Sequence, residues 1–378
     1  MRTRDQLGKM VTDVSGRRIA YVLGPSIGGI GTHVASIAAG FAKRGDRITV
    51  VAPPEVEEHF NFTARGARFV AAPISNKPGP KLSLAWKDTR KALRGISGRG
   101  VDIVHAHGLT GGLTAFSAHP PTSSLLCTWH NQLITDGLKR HVSDRIERQL
   151  ARSVDIALAA SSDLQAHLIS LGARDARLAP VAAPQRRAAG SSEAIEKELD
   201  LQGRPLIVSV GRLHEQKDYD TLVTAARQWS TLETTPVVAI AGDGPERERL
   251  QGLIDTTGVD VRLLGHRADV ANLLAAATAA VVTSRWEARQ LFAQEVLQAG
   301  VPLVTTRTGG IPELVGDAAL LFEVADTDGL AEAMTGLLTN QTQREQLIKA
   351  GLEQAATWPD EEASIDQLDA IYRELVGR

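Results

Sequence analysis

Glu287-Ala288-Arg289-Gln290-Leu291-Phe292-Ala293-Gln294-Glu295-Val296-Leu297-Gln298-Ala299-Gly300-Val301-Pro302-Leu303-Val304-Thr305-Thr306-Arg307-Thr308-Gly309-Gly310 carries the deciding pattern of this chain. Two carboxylates, Glu287 and Glu295, stand eight positions apart, and Leu291, Val296 and Leu297 suit a helix packed on a sheet. Gly300-Val301-Pro302 closes that helix, residues 303–305 read as a buried strand, and Gly309-Gly310 opens another turn. The spacing predicts one helix with a carboxylate near its start and a second two turns on. Carboxylates accept paired hydrogen bonds from vicinal hydroxyls, and helix-start amides favour anions, so the stretch suits a polyol ligand. An amphipathic helix with two solvated glutamates explains the spacing alone equally well.

The alternation of strand and helix extends outward in both directions. Residues 18–23 read as a first strand, and Val34, Ile37, Ala38 and Phe41 line one face of a helix over 32–43. Gly45 sits at the expected C-cap, and a strand resumes over 48–52. Strand-like runs follow at 102–106, 125–128 and 155–160. Residues 180–192, rich in Pro, Gly, Ser and Ala, read as a linker. The pattern then restarts with runs at 206–210, 237–241, 261–264, 280–283, 303–305 and 320–322. A chain of 378 residues is too long for one ordinary core. The expectation is an α/β protein of two doubly wound domains, 1–185 and 186–358, each with its ligand at the carboxyl ends of parallel strands. A last helix within 359–378 has Ile365, Leu368, Ile371, Tyr372 and Leu375 on one side.

Several strand ends carry chemistry. Gly28-Gly29-Ile30-Gly31 lies between a strand and a helix, where glycines let backbone approach a ligand and helix-start amides face an anion. It does not fit the dinucleotide G-x-G-x-x-G pattern, and no acid closes the next strand at Val50-Val51-Ala52-Pro53. Gly211-Arg212-Leu213-His214-Glu215-Gln216-Lys217-Asp218 follows another strand. Arg212 and Lys217 there can neutralise the charge growing on a departing diphosphate without a metal; solvated surface bases are the plain alternative. Asp218-Tyr219-Asp220 matches a metal-binding D-x-D but reads as a helix N-terminus with Asp220 near the cap. His130, in Thr128-Trp129-His130-Asn131, can hydrogen-bond a sugar hydroxyl. His105 and His107 read as positioning residues, since no third metal ligand accompanies them.

Glu287 and Glu295, with Ser284, Trp286, Gly300, Pro302, Gly309-Gly310 and Pro312-Glu313 around them, resemble the E-x7-E signature of retaining glycosyltransferases of the GT-B type, family 4 (group 1). The resemblance runs from about residue 18 to about residue 358 and takes in several motifs in the family's order. It implies two Rossmann-like domains facing a central cleft, with the last helix crossing back to the first domain. It also implies that Gly29 lies against the donor diphosphate and acceptor. Arg212 and Lys217, in a string similar to G-R-L-x-x-x-K-G, would bind the diphosphate. Glu287 would hold donor sugar hydroxyls, Glu295 the ribose hydroxyls, and His130, at the T-x-H position, the opposite face of the sugar. Further donor contacts fall to Gly211, Arg289, Gln290 and Leu291. Ala241-Gly242-Asp243-Gly244-Pro245 and Leu264-Gly265-His266-Arg267 would line the nucleotide, with Arg267 against the base. The only small-molecule requirement is the nucleotide-diphosphate sugar as co-substrate; no cofactor or metal is expected. Three departures stand out. Ala288-Arg289-Gln290 occupies the place where glycine commonly follows the first glutamate, which leaves donor sugar choice open. Asp218 replaces a usual glycine, and Pro180-Val181-Ala182-Ala183-Pro184 replaces P-N-G-V-D.

Composition agrees with a globular enzyme at 43% hydrophobic and 23% charged residues. A single cysteine, Cys127, excludes an intrachain disulfide and cysteine-rich zinc sites, and its flanks make it a buried thiol. The apolar stretch after the polar first seventeen residues is too short for a signal-peptide core, and the Ala-rich run 273–282 cannot span a bilayer. A soluble cytoplasmic protein is expected. Residues 65–99 hold nine bases against one acid, Asp88, which makes the segment +8 in a chain of net charge −2. This basic segment around Trp86 offers either a contact for an anionic membrane surface at the cytoplasmic face or a solvated helical face. Nothing points to nucleic acid. The reading is transfer of a hexose from a nucleotide-diphosphate sugar, a UDP-sugar ahead of GDP-mannose, to a hydroxyl of a glycan, lipid or small molecule. A catalytically silent nucleotide-sugar-binding subunit is the alternative from another class. A sugar-nucleotide epimerase would need an acid/base pair beyond Glu287 and His130.

Overall fold

The computed structural model describes residues 16–75, 87, 89, 91, 93, 100–132, 137–184, 188 and 190–377. Two parallel sheets organise them. The first holds β1 (Arg18–Leu23), β2 (Arg47–Ala52), β3 (Arg68–Ala71), β4 (Ile103–His107), β5 (Ser124–Trp129), β6 (Ile156–Ala159) and β7 (Ala176–Leu178), in the order β3-β2-β1-β4-β5-β6-β7. The second holds β8 (Leu206–Val210), β9 (Val237–Ala241), β10 (Val261–Gly265), β11 (Ala279–Val282), β12 (Leu303–Thr306) and β13 (Leu320–Phe322), in the order β10-β9-β8-β11-β12-β13. By compactness the chain divides into two units, Met1–Thr128 with Arg152–Ile156 and Ile365–Arg378, and Trp129–Ala151 with Ala157–Ser364.

The central strands form because their side chains are apolar on both faces, as a sheet covered on both sides requires. In the second sheet the alternation is explicit. Leu206, Val208, Val237, Ala239, Ala280 and Val282 enter one core, while Ile207, Val238, Ile240, Ala279 and Val281 enter the other. Strand order reverses between β8 and β11, so the loops at their carboxyl ends lie side by side. That topology, more than any local signal, positions the candidate site.

The strands over 18–23, 206–210, 237–241 and 320–322 form as the sequence predicts, and the bounds of the other expected strands differ by a single residue at one or both ends. β3 and β7, the edges of their sheet, escaped the pattern because each is short and carries an arginine. Edge strands are short and half solvated: β3 is Arg-Phe-Val-Ala with exposed ends, and β7 has three half-buried residues. The first helix begins at Gly29 rather than residue 32, so the glycine-rich turn is its first turn and not a loop before it. The last helix, Glu361–Val376, buries Ile365, Leu368, Ile371, Tyr372 and Leu375. Arg17 ties this helix to β2 by ion pairs to Asp369 (2.5 Å) and Asp46 (2.7 Å).

Cys127 is a buried thiol whose Sγ lies 3.9 Å from Gly108 O. Among the described residues no helix is long and apolar enough to cross a membrane. Most of the basic segment, Trp86 included, lies outside the described residues, as do 185–187 and 189 of the expected linker.

Candidate functional site

The first half of the site follows β8. Gly211 leaves the strand, and a Cβ there would sit 2.8 Å from the Tyr219 hydroxyl and 3.2 Å from Lys217 Cε. Glycine there leaves room for Lys217 to fold back under the strand end. Lys217 closes a 3₁₀ turn, and Asp218 then takes a left-handed conformation, φ 49° and ψ 46°. That explains the departure at this position: left-handed backbone favours glycine, and Asp is among the few other residues that adopt it readily. Asp218 Oδ2 accepts from Thr221 Oγ1 at 2.9 Å where the helix Tyr219–Trp229 begins, in keeping with the helix-start reading of Asp218-Tyr219-Asp220. Asp220 is held by both terminal nitrogens of Arg249, at 2.7 and 2.8 Å. Arg212 is exposed and makes no ion pair among the described residues.

The second half is the loop 284–290 after β11. Hydrogen bonds tie it to the first: Thr283 Oγ1 donates to Lys217 O (2.7 Å), Arg285 N–H to Gln216 O (2.8 Å), and Gln216 Nε2 to Trp286 O (2.9 Å). Lys217 Nζ meets Glu287 Oε1 at 2.5 Å across 70 residues of sequence, with only 17% and 12% of the two side chains exposed. Gln290 Nε2 reaches the same oxygen at 3.4 Å. From below, Gly310 N–H donates to Glu287 O at 2.9 Å. Gly309, at φ +52°, passes so close that a Cβ would lie 2.1 Å from Glu287 O.

This loop corrects the expectation of two glutamates on one helix. The helix runs Leu291–Gln298 and starts after Gln290, whose extended backbone (φ −68°, ψ 116°) breaks the helical path. Glu287 therefore belongs to the loop and Glu295 to the second turn of the helix. Glu295 borders a cavity of about 500 Å³ with Val270, Leu274 and Gln298. Leu291 opens the helix, so the first-turn amides have no intrahelical acceptor and face the side from which Glu287 comes. Ala288 is absent from the residues with positive φ, so alanine fits where glycine is usual. The Arg289 side chain runs elsewhere: its Nε donates to Val181 O at 3.0 Å and its guanidinium lies 5.8 Å from the Trp358 ring centre.

The remaining predicted residues fall in different settings. Arg267 is engaged by Asp269, at 2.7 Å from both Nε and Nη2, and by Glu198. Those carboxylates push its pKa up and use most of its donors, so it braces the segment around Glu198 rather than standing free for a base. His130 is half-buried directly after β5, and Gly29 is exposed at its helix start. His105 is buried with Nδ1 2.6 Å from the Tyr372 hydroxyl and Nε2 2.7 Å from Thr128 Oγ1, so both ring nitrogens are occupied inside the protein. His107 stacks on it at 4.3 Å. Among the described residues no group of three His, Cys, Asp or Glu side chains is placed to hold a metal ion.

Reading the sequence missed two supports of the loop. Gln216 and Gln294 sit inside motifs whose other members drew attention, and their contacts are with backbone atoms far away in sequence. Glu313, named from the motif without a role, accepts from Ser162 N–H at 3.0 Å. No local pattern signals any of these.

The model of the Glycosyl transferase 4-like domain matches residues 28–184, and that of Glycosyl transferases group 1 matches residues 191–354. The chain is 27% identical over 187 residues to the N-acetyl-alpha-D-glucosaminyl L-malate synthase of Bacillus anthracis, covering 48% of this chain and about half, 49%, of that relative. It is 27% identical over 391 residues to the D-inositol 3-phosphate glycosyltransferase of Corynebacterium urealyticum, covering 92% and 91%. The structure of Anabaena HepE in complex with UDP and glucose superposes with a TM-score of 0.78 at 19% identity, over 94% of this chain and 99% of that one. Likeness at that level shows the fold, and the two parallel α/β sheets are those of GT-B glycosyltransferases. Matched in both halves, the chain belongs to the group 1, family 4-like glycosyltransferases, enzymes that transfer a sugar to an acceptor.

Proposed function

We propose that this enzyme transfers a hexose from a nucleoside-diphosphate sugar, with retention at the anomeric carbon and without a metal. The observation that carries the reading is the Lys217–Glu287 pair at the switch point of the second sheet. A carboxylate held by a lysine and a glutamine is oriented to accept from sugar hydroxyls. Lys217 and Arg212 present positive charge on the adjoining loop, and open helix-start amides lie behind them. Fixed cations and amides of this kind stabilise a departing diphosphate. The expelled phosphate oxygen is the base that takes the proton of the acceptor hydroxyl, because the loop offers no other unpaired base.

A uridine nucleotide is the favoured donor, in line with the UDP found in HepE. Glu295 is assigned to the ribose, Gln290 and Leu291 to the sugar and phosphate through their amides, Gly211 to close approach by the diphosphate, and His130 and Gly29 to sugar and acceptor. Arg267 is not part of this assignment. The acceptor is a hydroxyl compound, either a membrane lipid or glycan or a small polar molecule such as the relatives' names describe.

The test is a screen of nucleotide sugars with each acceptor class, the product anomer read by NMR. Retention with activity undiminished by EDTA supports the reading; inversion, or activity abolished by EDTA and restored by manganese, overturns it. Glu295→Ala should weaken binding of free UDP at least tenfold, whereas Glu287→Ala should leave it within about threefold and damage transfer. Calorimetry giving the reverse order would exchange the two roles.

A further inference from the structure

We infer that Arg289 and Gln294 are positioning residues: they strap the buried segment 181–183 to the loop 284–290 and so hold Glu287 and the loop amides in place. This rests on the role proposed above for that loop. Val181, Ala182 and Ala183 are 4%, 8% and 3% exposed, so their peptide groups need partners from the protein. Gln294, 1% exposed, supplies two. Its Nε2 donates to Val181 O at 3.2 Å and its Oε1 accepts from Ala183 N–H at 3.1 Å. Arg289 Nε donates to the same Val181 O at 3.0 Å. The Trp358 ring beneath the guanidinium is itself fixed, its Nε1 donating to Leu314 O at 3.2 Å.

Arg289 is a poor choice for stability alone. It makes no ion pair among the described residues, its Nη2 is buried without a hydrogen-bond partner, and desolvation pulls its pKa down against a smaller opposing pull from the Glu313 carboxylate. A cation carried out of water with so little compensation weakens the fold unless it does something else. Its backbone gives the reason. Arg289 is two residues from Glu287, and Ala288 O between them leaves only 2.1 Å to the place of a Cβ on Gly310. The loop is thus gripped at both ends, by Lys217 on Glu287 and by the strap on Arg289 and Gln294. The two departures from the family pattern, at 288–290 and at 180–184, are one contact: the unusual segment brings the carbonyl that the unusual arginine holds.

Hydrogen exchange, UDP calorimetry and steady-state transfer from a UDP-sugar, on Arg289→Met, Arg289→Lys and Gln294→Leu, test this. In Arg289→Met and Gln294→Leu, exchange should quicken at least tenfold at the amides of 181–183 and also of 287–290. kcat should fall about tenfold while UDP binding stays within threefold. Arg289→Lys keeps a donor for Val181 O and should recover most of kcat. Gln294→Met, nearer in volume, takes the place of Gln294→Leu should that variant not fold. Unchanged exchange at 287–290 overturns the strap, whatever happens to stability. So does an unchanged kcat, or equal loss in the lysine and methionine variants. If the wild type binds no UDP, the donor reading fails by itself, and exchange at 287–290 still decides the strap.

Discussion

Two polar clusters sit at strand ends in this molecule, and they are built on opposite principles. In the first unit Tyr21, His33, His105, His107 and Tyr372 are sealed from water and pack ring on ring, with both nitrogens of His105 bonded inside the protein. Burial drives His105 down to about 3 and His33 to about 4, so these rings are neutral and serve packing. In the second unit Lys217 and Glu287 remain a charged pair on loops, partly open to solvent. The lesson is that histidines at a strand end do not mark a site when both nitrogens are spoken for inside the core. A cation and a carboxylate held at the switch point, with solvent on one side, are better markers.

The largest effect should come from breaking the open cluster. Lys217→Ala should cut turnover at least a hundredfold and Arg212→Ala by a similar order, as loss of one preorganised donor does elsewhere. Circular dichroism should show both folded; activity of both within threefold of wild type would remove the site from this loop.

The sealed cluster should answer to pH instead. His33 and His105 ionise in the folded state only well below 6.5, so the stability they confer is full above that value and drains as pH falls toward 4. Each contributes a slope of up to about 1.4 kcal/mol per pH unit in that window. His167, whose pKa Glu147 raises through a 3.2 Å hydrogen bond, has the opposite sign: its contribution is present below 6.5 and lost above. Chemical denaturation from pH 7 to pH 4.5 should therefore show stability falling, with a shallower fall in His33→Leu. A flat profile would mean that the cluster is solvated.

A smaller loss should follow Gly309→Ala, which forces a side chain into left-handed backbone against Glu287 O. About 1–3 kcal/mol of destabilisation is expected, together with reduced transfer as Glu287 shifts. Unchanged melting and kinetics would show the loop to be soft. The smallest effect belongs to Arg267→Ala. With its guanidinium committed to Glu198 and Asp269, UDP affinity should change less than threefold, and a tenfold loss in calorimetry would show that it turns to the base.

Much of the fold was legible because central strands of a covered parallel sheet must be continuously apolar, as Leu206–Val210 and Val237–Ala241 are. The edges β3 and β7 were not, because half-solvated strands need no such run. Arg212, Lys217, Glu287 and Glu295 could be named from motifs. Their geometry could not, and neither could the start of the helix at Leu291, beside which Arg289 holds a carbonyl 108 residues away.

The sequence by itself determined the two rounds of α/β alternation, the identity of the charged residues at strand ends, and the turn at Gly309-Gly310. Tertiary structure alone decided that Lys217 and Glu287 are partners and that Arg267 is bound to carboxylates. It also decided that His105 is satisfied by Tyr372 from the last helix, and that Arg289 serves a backbone carbonyl at position 181. The physical reason is range. Propensity and periodicity act over a few residues, whereas a hydrogen bond or ion pair is made by whatever the sheet order brings within 3 Å, 70 residues away for Lys217–Glu287 and 267 for His105–Tyr372.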